Sequence, residues 1–350
     1  MGRQIGVFKG LKPRLVKKIA FFVRPECSVA CGGDRSHEAI FFTENAMDDF
    51  VVEADGLVKR YNGFTAVNGI DLRIRRGECF GFLGPNGAGK TTTIRMIHCF
   101  TPVTEGRLRV FGLDALSHAR AIKSRIGVCP QEDNLDIDFS VRKNLLVFSR
   151  YFGIPKQEAE KRADELIRFV DLAPRSGAHI RELSAGMKRR LIIARALINK
   201  PEMLILDEPT TGLDPQARHQ IWERVRNLKK GGATILLTTH YMEEASRLCD
   251  RLVIVDSGKI IAGGEPDALI AEHIARDVIE IEDPPEALVG ELAAAGRRFE
   301  KMGARLFIHS PDGDGEGLDL ARRFGLEHIQ IRRATLEDVF LKLTGREIRG

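Results

Sequence analysis

The chain has 350 residues, of which 43% are hydrophobic and 29% are charged, a composition typical of a soluble globular protein. No apolar run approaches the roughly 20 residues that cross a bilayer, so we expect any role at a membrane to depend on a partner. The net charge is +5, and residues 1–46 carry most of the excess. The remainder is nearly neutral, which gives no electrostatic reason to expect nucleic acid as a partner. The six cysteines are scattered in mostly apolar contexts, as in reduced cytosolic proteins.

Residues 1–46 contain no periodic pattern that marks the start of a domain. The apolar residues 19–23 are too few for the hydrophobic region of a signal peptide, and no cleavage site of small residues follows them. Met47 lies just before an edge-strand pattern that starts at Phe50. We therefore predict that residues 1–46 are a disordered extension, or sequence upstream of the true start.

A glycine-rich segment supplies the strongest chemical signal in the chain. It follows an apolar run over 79–83 that predicts a buried strand, and it precedes residues at helical spacing. In that setting backbone N–H groups surround a polyphosphate at the positive end of a helix. The lysine would reach the β- and γ-phosphates and the first threonine would bind Mg²⁺. The segment, which predicts a nucleotide site, consists of Gly84, Pro85, Asn86, Gly87, Ala88, Gly89, Lys90, Thr91 and Thr92.

Two further residues are candidates by position. Tyr61 precedes the glycine-rich segment, where an aromatic ring could stack on adenine, although a tyrosine before a turn is more often a packing residue. Gln131 follows a predicted strand over 126–130, and the carboxyl ends of such strands face the ligand crevice of open α/β sheets. Its amide could meet Mg²⁺ and the attacking water.

Residues 134–182 change in character and predict a helical insertion. Amphipathic helices are expected over 141–152 and 156–170, most of their charges forming a solvated face. Ser184 is then a plausible N-cap of the next helix, and Gly186 behind it helps to expose backbone N–H groups that could hold a phosphate. An ordinary capped helix is the alternative.

Acidic residues follow the apolar run over 203–206. Asp207 is expected to hold Mg²⁺ through water, and Glu208 to polarise the water that attacks the γ-phosphate. A tight turn over 211–215 contains Asp214. The predicted strand over 233–239 ends at His240, whose imidazole could sense the γ-phosphate, although a lone histidine there is usually structural.

In this order the motifs resemble the ATP-binding subunit of ABC transporters over roughly residues 50–280. The resemblance implies an α/β P-loop NTPase with an antiparallel β subdomain and a helical subdomain, and ATP with Mg²⁺ as cofactors. It also implies a homodimer in which Ser184 and Gly186 of one subunit close on the ATP held by Lys90 of the other, and it places Asp214 among the nucleotide contacts. Ala185 and Met187 depart from the Gly and Gln usual in this family. We expect closure to survive, because Ser184 and Gly186 remain.

Residues 134–153, 186–191 and 248–252 resemble the nodulation-factor export ATP-binding family more narrowly. That resemblance implies export of lipo-chitin oligosaccharides, with two ATP-binding subunits and two permease subunits, at the cytoplasmic face of the inner membrane. Related drug and polysaccharide exporters share much of the pattern. The segment over 134–153 is expected to dock a cytoplasmic helix of the permease through Leu135, Phe139 and Phe148, unless these side chains fill the core of the insertion.

The remainder, 281–350, is predicted to be a small α+β accessory region after a linker at 283–285. Strands are expected over 305–309 and 328–331, and the apolar stripe of a final helix over 336–343 favours intramolecular packing. The ending resembles the C-terminal extension of the same exporter family.

Two other classes of function share single features with this sequence. A non-transport ABC ATPase acting on ribosomes or DNA normally carries two nucleotide domains or a long coiled-coil insertion, and this chain has neither. Residues 199–202 superficially resemble the guanine-reading motif of P-loop switch proteins, but they end in Glu and lead into the Asp207 strand, which favours a turn.

Overall fold

A computed structural model of the protein describes residues 50–297, 299–310, 313–326 and 328–344. The predicted extension over 1–46 and Met47 lie outside the described residues. The strands are β1 (Phe50–Tyr61), β2 (Phe64–Arg75), β3 (Cys79–Leu83), β4 (Glu105–Val110), β5 (Leu113–Asp114), β6 (Ile126–Cys129), β7 (Met203–Asp207), β8 (Thr234–Thr239), β9 (Arg251–Asp256), β10 (Lys259–Gly264), β11 (Asp277–Glu282), β12 (Phe299–Met302), β13 (Arg305–Ser310) and β14 (Ile329–Arg333). The α-helices are α1 (Lys90–Ile97), α2 (Ala119–Ser124), α3 (Val141–Ser149), α4 (Lys156–Phe169), α5 (Ala185–Ala196), α6 (Pro215–Lys230), α7 (Met242–Leu248), α8 (Pro266–His273), α9 (Glu286–Ala294), α10 (Gly313–Phe324) and α11 (Leu336–Thr344).

The central sheet has the strand order β10-β9-β3-β8-β7-β6, with parallel pairing from β9 to β6 and an antiparallel β10 at one edge. β3, β7 and β8 are buried at every residue, as is typical of parallel strands that are covered on both faces. The carboxyl ends of β3, β6, β7 and β8 meet at one edge. That edge is where ligands bind in open α/β sheets.

A second sheet, of order β2-β1-β4-β5, is antiparallel throughout. It forms the predicted antiparallel β subdomain, and its inner side chains share one apolar cluster with β3 and α1, including Ile74, Phe82 and Ile94. The long β1–β2 hairpin turns at Asn62 and Gly63, both with positive φ. This sheet therefore supports the glycine-rich segment from one side.

The helical insertion contains α3 and α4, which pack on each other and on α5. The first helix ends earlier than its sequence suggests, because α3 stops at Ser149 and a 3₁₀ turn over Arg150–Phe152 leads to Gly153 in the left-handed region. None of the described helices combines the length and apolar character that crossing a membrane requires.

The expectation that Leu135 contacts a permease is wrong. Leu135 is only 8% exposed and belongs to the main core, because the loop that carries it folds back against the insertion. Phe148 likewise packs against this core, with the Arg195 guanidinium 4.9 Å from its ring centroid. Phe139 is half-buried beneath the Lys143 ammonium. The exposed apolar residue of this loop is Ile137, at 49%.

The C-terminal sheet has the order β12-β13-β11-β14 and is antiparallel. The predicted boundary at 280/281 falls inside β11, and the proposed linker at 283–285 is a loop between β11 and α9 within the same unit. The strands over 305–310 and 329–333 confirm the expected α+β pattern. The final helix, α11, packs on α7 and α8 with Val339 and Phe340 buried, so its apolar stripe serves intramolecular packing.

Candidate nucleotide-binding and hydrolysis site

The glycine-rich loop over 84–89 connects β3 to α1, as its sequence predicts. Gly84 N donates to Thr239 O at 3.3 Å, and Gly258 N donates to Ala88 O at 3.0 Å, so both ends of the loop are anchored. A Cβ at Gly84 would lie 2.1 Å from the Val255 carbonyl oxygen, which excludes any larger residue. Asn86 and Gly87 are exposed at the tip, and Thr92 is half-buried in the first turn of α1. The loop thus presents its backbone at the start of a helix, as phosphate-binding loops do.

Lys90 is the first residue of α1 and only 4% exposed. Its ammonium donates to the carbonyl oxygens of Gly84 at 2.8 Å and Pro85 at 3.0 Å, and it lies 3.5 Å from Glu208 Oε1. Burial lowers its pKa, and the nearby carboxylates oppose that shift. A buried cation held mainly by carbonyl oxygens is well placed to turn toward an anionic ligand.

Asp207 ends β7 beside Thr238 of β8, since the two residues are paired in the parallel register. Its Oδ1 accepts hydrogen bonds from Thr238 Oγ1 at 2.5 Å and from Thr91 Oγ1 at 3.2 Å. Burial raises the pKa of Asp207, and the two hydroxyl donors oppose that shift. The structure thereby brings together two of the three predicted Mg²⁺ ligands, Thr91 and Asp207, while the Gln131 amide contacts Glu208.

These oxygens suit Mg²⁺, which is bound through one or two carboxylates together with substrate phosphates rather than by a closed protein cage. The described residues contain no cluster of three or more His, Cys, Asp or Glu side chains that could hold a metal ion.

Glu208 follows Asp207 with a φ of +46°, and its Oε1 lies 3.5 Å from the ammonium of Lys90. Its Oε2 accepts from Gln131 Nε2 at 3.1 Å and from Thr211 Oγ1 at 3.2 Å, and it lies 3.4 Å from His240 Nδ1. The His240 imidazole and then the Lys90 ammonium lower the pKa of Glu208 to about 2. The carboxylate is therefore ionised at neutral pH.

Ser184, Gly186 and Asp214 form a second group at two helix starts. Ser184 caps α5 by accepting from Met187 N at 3.3 Å, and Asp214 caps α6 by accepting from Ala217 N at 2.9 Å. A Cβ at Gly186 would lie 2.9 Å from Ala217 Cβ, so glycine permits these two helix starts to approach. Ser184 thus forms the predicted N-cap, and Asp214 forms a second cap within the segment for which the sequence predicts a tight turn.

Tyr61 lies at the end of β1 and is 42% exposed. Its contacts in the structure are the Lys59 ammonium, 4.9 Å from the ring centroid, and Thr101 Oγ1, 3.4 Å from its hydroxyl. The stacking role predicted for Tyr61 stays a prediction.

The sequence patterns assign no role to Arg189, whose guanidinium contacts two segments that carry site residues. It is buried and donates to backbone carbonyl oxygens of the segment that carries Gln131 and of the segment that carries Asp207 and Glu208. The one signal available in the sequence is that Arg189 lies in the segment over 186–191, which resembles the narrower export family.

The fold and this site define the ATP-binding subunit of an ABC transporter, and comparison with known proteins agrees. Residues 67–211 match the family model described as ABC transporter, and residues 286–345 match the one described as "Nodulation factor export protein NodI, C-terminal domain". One solved structure, cbiO1 from Clostridium perfringens, has a TM-score of 0.60 and 26% identity, covering 71% of this chain and 96% of its own. The ATP-binding cassette MJ0796, solved as a dimer with ADP and Pi, has a TM-score of 0.56 and 26% identity, covering 61% of this chain and 98% of its own.

Two relatives match this chain over most of its length. The Nod factor export ATP-binding protein I of Paraburkholderia xenovorans is 51% identical over 303 residues, which is 86% of this chain and 99% of the relative. The protein of the same description from Ralstonia nicotianae is 49% identical over 307 residues, covering 85% of this chain and 95% of the relative. The chain belongs to the family of Nod factor export ATP-binding proteins.

Proposed function

We propose that this chain hydrolyses ATP to drive the export of Nod factors, the lipo-chitin oligosaccharides of nodulation, through a separate permease. The observation that carries the substrate is the match of residues 286–345 to the Nod-factor export C-terminal domain, joined to relatives of that description along most of the chain. Drug and polysaccharide exporters share the cassette, so the C-terminal match is what favours Nod factor among the substrates.

In this proposal Lys90 and the loop over 84–89 bind the phosphates of ATP. Thr91 and Asp207 would hold Mg²⁺, with Gln131 beside them, and the ion would neutralise charge on the phosphates. Tyr61 would contact the adenine. The Thr91 hydroxyl donates to the Asp207 carboxylate at 3.2 Å, and this contact supports their proposed role as a pair of metal ligands.

Glu208 is the proposed base that takes a proton from the attacking water. A carboxylate with a pKa of about 2 is a weak base, and part of that lowering comes from Lys90. When the Lys90 ammonium turns to a phosphate, that contribution is lost, while the larger contribution of His240 remains. Gln131 and His240 would keep the Glu208 carboxylate oriented.

Two copies of the chain are proposed to enclose two nucleotides, with Ser184, Gly186 and Asp214 of one subunit completing the site of the other. The dimeric form of the structural relative MJ0796 supports this arrangement. Two permease subunits would complete the transporter at the cytoplasmic face of the inner membrane. Because Leu135 is buried, the permease-facing part of the loop after Gln131 is proposed to be Ile137 and Phe139.

Transport by inverted membrane vesicles tests the proposal. Vesicles that contain the chain and its permease should accumulate labelled lipo-chitin oligosaccharide when ATP is added, and vesicles with Lys90→Ala should not. A matched experiment with a labelled polysaccharide fragment tests the alternative substrate. Accumulation of the polysaccharide alone would refute the Nod-factor assignment and leave the ATPase assignment intact.

A further inference from the structure

Arg189 lies in α5, shortly after the N-cap Ser184, and is 7% exposed. Its guanidinium donates to carbonyl oxygens of two segments that lie far from it in the sequence. In the first segment it contacts Pro130 O and, at 3.4 Å, Gln131 O. In the second segment it contacts Asp207 O at 2.7 Å, Glu208 O at 2.9 Å and Pro209 O at 2.8 Å.

Arginine is the side chain that can make this set of contacts. It carries five N–H donors in a rigid planar fork and accepts no hydrogen bonds, whereas lysine offers a single flexible ammonium. The carbonyl groups that accept these hydrogen bonds belong to the last residue of β7 and to the residues just after β6 and β7. Hydrogen bonding between neighbouring strands ends there. Buried carbonyl groups at such places require a donor. Arg189 supplies it from a third element.

We propose that Arg189 is a positioning residue that makes the start of α5, the Gln131 segment and the turn after Asp207 move as one body. The inference rests on the proposed ATPase function and its two-subunit arrangement. In that arrangement Ser184 closes on the nucleotide of the partner subunit. Through Arg189, this closure sets the position of Gln131 and Glu208 in its own subunit. Each subunit thereby links contact with the nucleotide of its partner subunit to hydrolysis of the nucleotide in its own site.

The next residue provides a matched control. Arg190 has the same side chain on the same helix, but its guanidinium donates to Val170 O at 2.9 Å and lies 3.8 Å from Asp171. Its contacts thus remain within the helical insertion. Replacing Arg190 removes a partly buried arginine from α5 without touching the backbone beside Gln131 or Glu208.

The test compares Arg189→Met, Arg189→Lys and Arg190→Met in the full chain. ATP affinity is measured with a fluorescent ATP analogue, turnover as kcat and KM, and folding by thermal melting. We expect Arg189→Met to bind ATP within about 2-fold of wild type while its kcat falls at least about 10-fold, because the reacting groups lose their alignment. The kcat of Arg189→Lys should lie between those of wild type and Arg189→Met. Arg190→Met should keep kcat within about 2-fold of wild type.

A second readout separates positioning from general destabilisation. In the Glu208→Gln variant, ATP should convert the chain to a dimer that light scattering detects. Adding Arg189→Lys to this variant should lower the dimer fraction. Adding Arg190→Met should leave the dimer fraction unchanged. The proposal is overturned if Arg189→Lys leaves both kcat and the dimer fraction unchanged, or if the two methionine variants lose kcat equally. If Arg189→Met does not fold, kcat and the dimer fraction of Arg189→Lys decide: a decrease in both supports the proposal, and no change in either overturns it. A wild-type chain without ATPase activity would instead refute the proposed function.

Discussion

The most informative single substitution is Glu208→Gln, which removes a charge while keeping the shape of the side chain. If the amide oxygen takes the place of Oε2, it still accepts from Gln131 and Thr211, so the turn after β7 keeps its hydrogen bonds. The amide nitrogen then faces Lys90 at the present 3.5 Å, where it cannot attract an ammonium. The substitution thus removes the proton acceptor and frees Lys90 for phosphate.

Both effects have a predictable size. Loss of a positioned general base slows a reaction by about 10²- to 10⁴-fold, so we expect kcat to fall at least about 100-fold. The loss of the ion pair removes a competitor for Lys90, so ATP affinity should stay equal or increase. ATP would then remain bound, and the chain should accumulate as an ATP-bound dimer.

The assay is steady-state phosphate release together with light scattering in the presence of ATP and Mg²⁺. Glu202→Gln is the matched control, because Glu202 lies just before the other end of β7 and pairs with Arg125 and Arg76. It carries the same change of charge and should hydrolyse ATP normally. Phosphate release by Glu208→Gln within about 3-fold of wild type would refute its role as the base.

Further predictions concern protonation, the C-terminal unit and coupling. Burial lowers the pKa of His98 from 6.5 to about 4, so its protonation opposes folding. As the pH falls from 6.5 to 4.5, the free energy of unfolding should drop by about 2–3 kcal/mol more in wild type than in His98→Gln, and parallel urea titrations would contradict this. Asp338→Ala removes the carboxylate that Arg332 contacts through two hydrogen bonds of 2.8 Å. The substitution should destabilise the C-terminal unit by about 3 kcal/mol. An unchanged rate of limited proteolysis in this unit would contradict the prediction. Ile137→Glu with Phe139→Glu should keep ATPase activity but abolish transport in vesicles, so normal transport would exclude this loop as the permease contact.

The sequence predicts most of the site because its chemistry is carried by short segments. The glycine-rich loop needs only a strand before it and a helix after it, and the structure has both. The convergence of Gln131, Asp207 and His240 follows from parallel strands that end at one edge of a sheet. The predicted cap at Ser184 is equally local.

What the sequence could not supply depends on tertiary contact. Arg189 is a charged residue on a helix, and nothing in its periodicity shows that it reaches carbonyl oxygens of two other segments. Leu135 lies in a polar loop whose path onto the core is fixed by the hydrogen bonds of Asn144 to that loop. The prolines at 284 and 285 suggest a linker, whereas β11 before them pairs with two strands that come later in the chain.

The measurement that tests the central claim most directly is the distribution of lipo-chitin oligosaccharide between cells and medium. A strain of the source organism that lacks this gene should retain the oligosaccharide. Restoring the wild-type chain should return it to the medium, and Lys90→Ala, equally expressed, should not. Normal export from the strain without the gene would contradict the account.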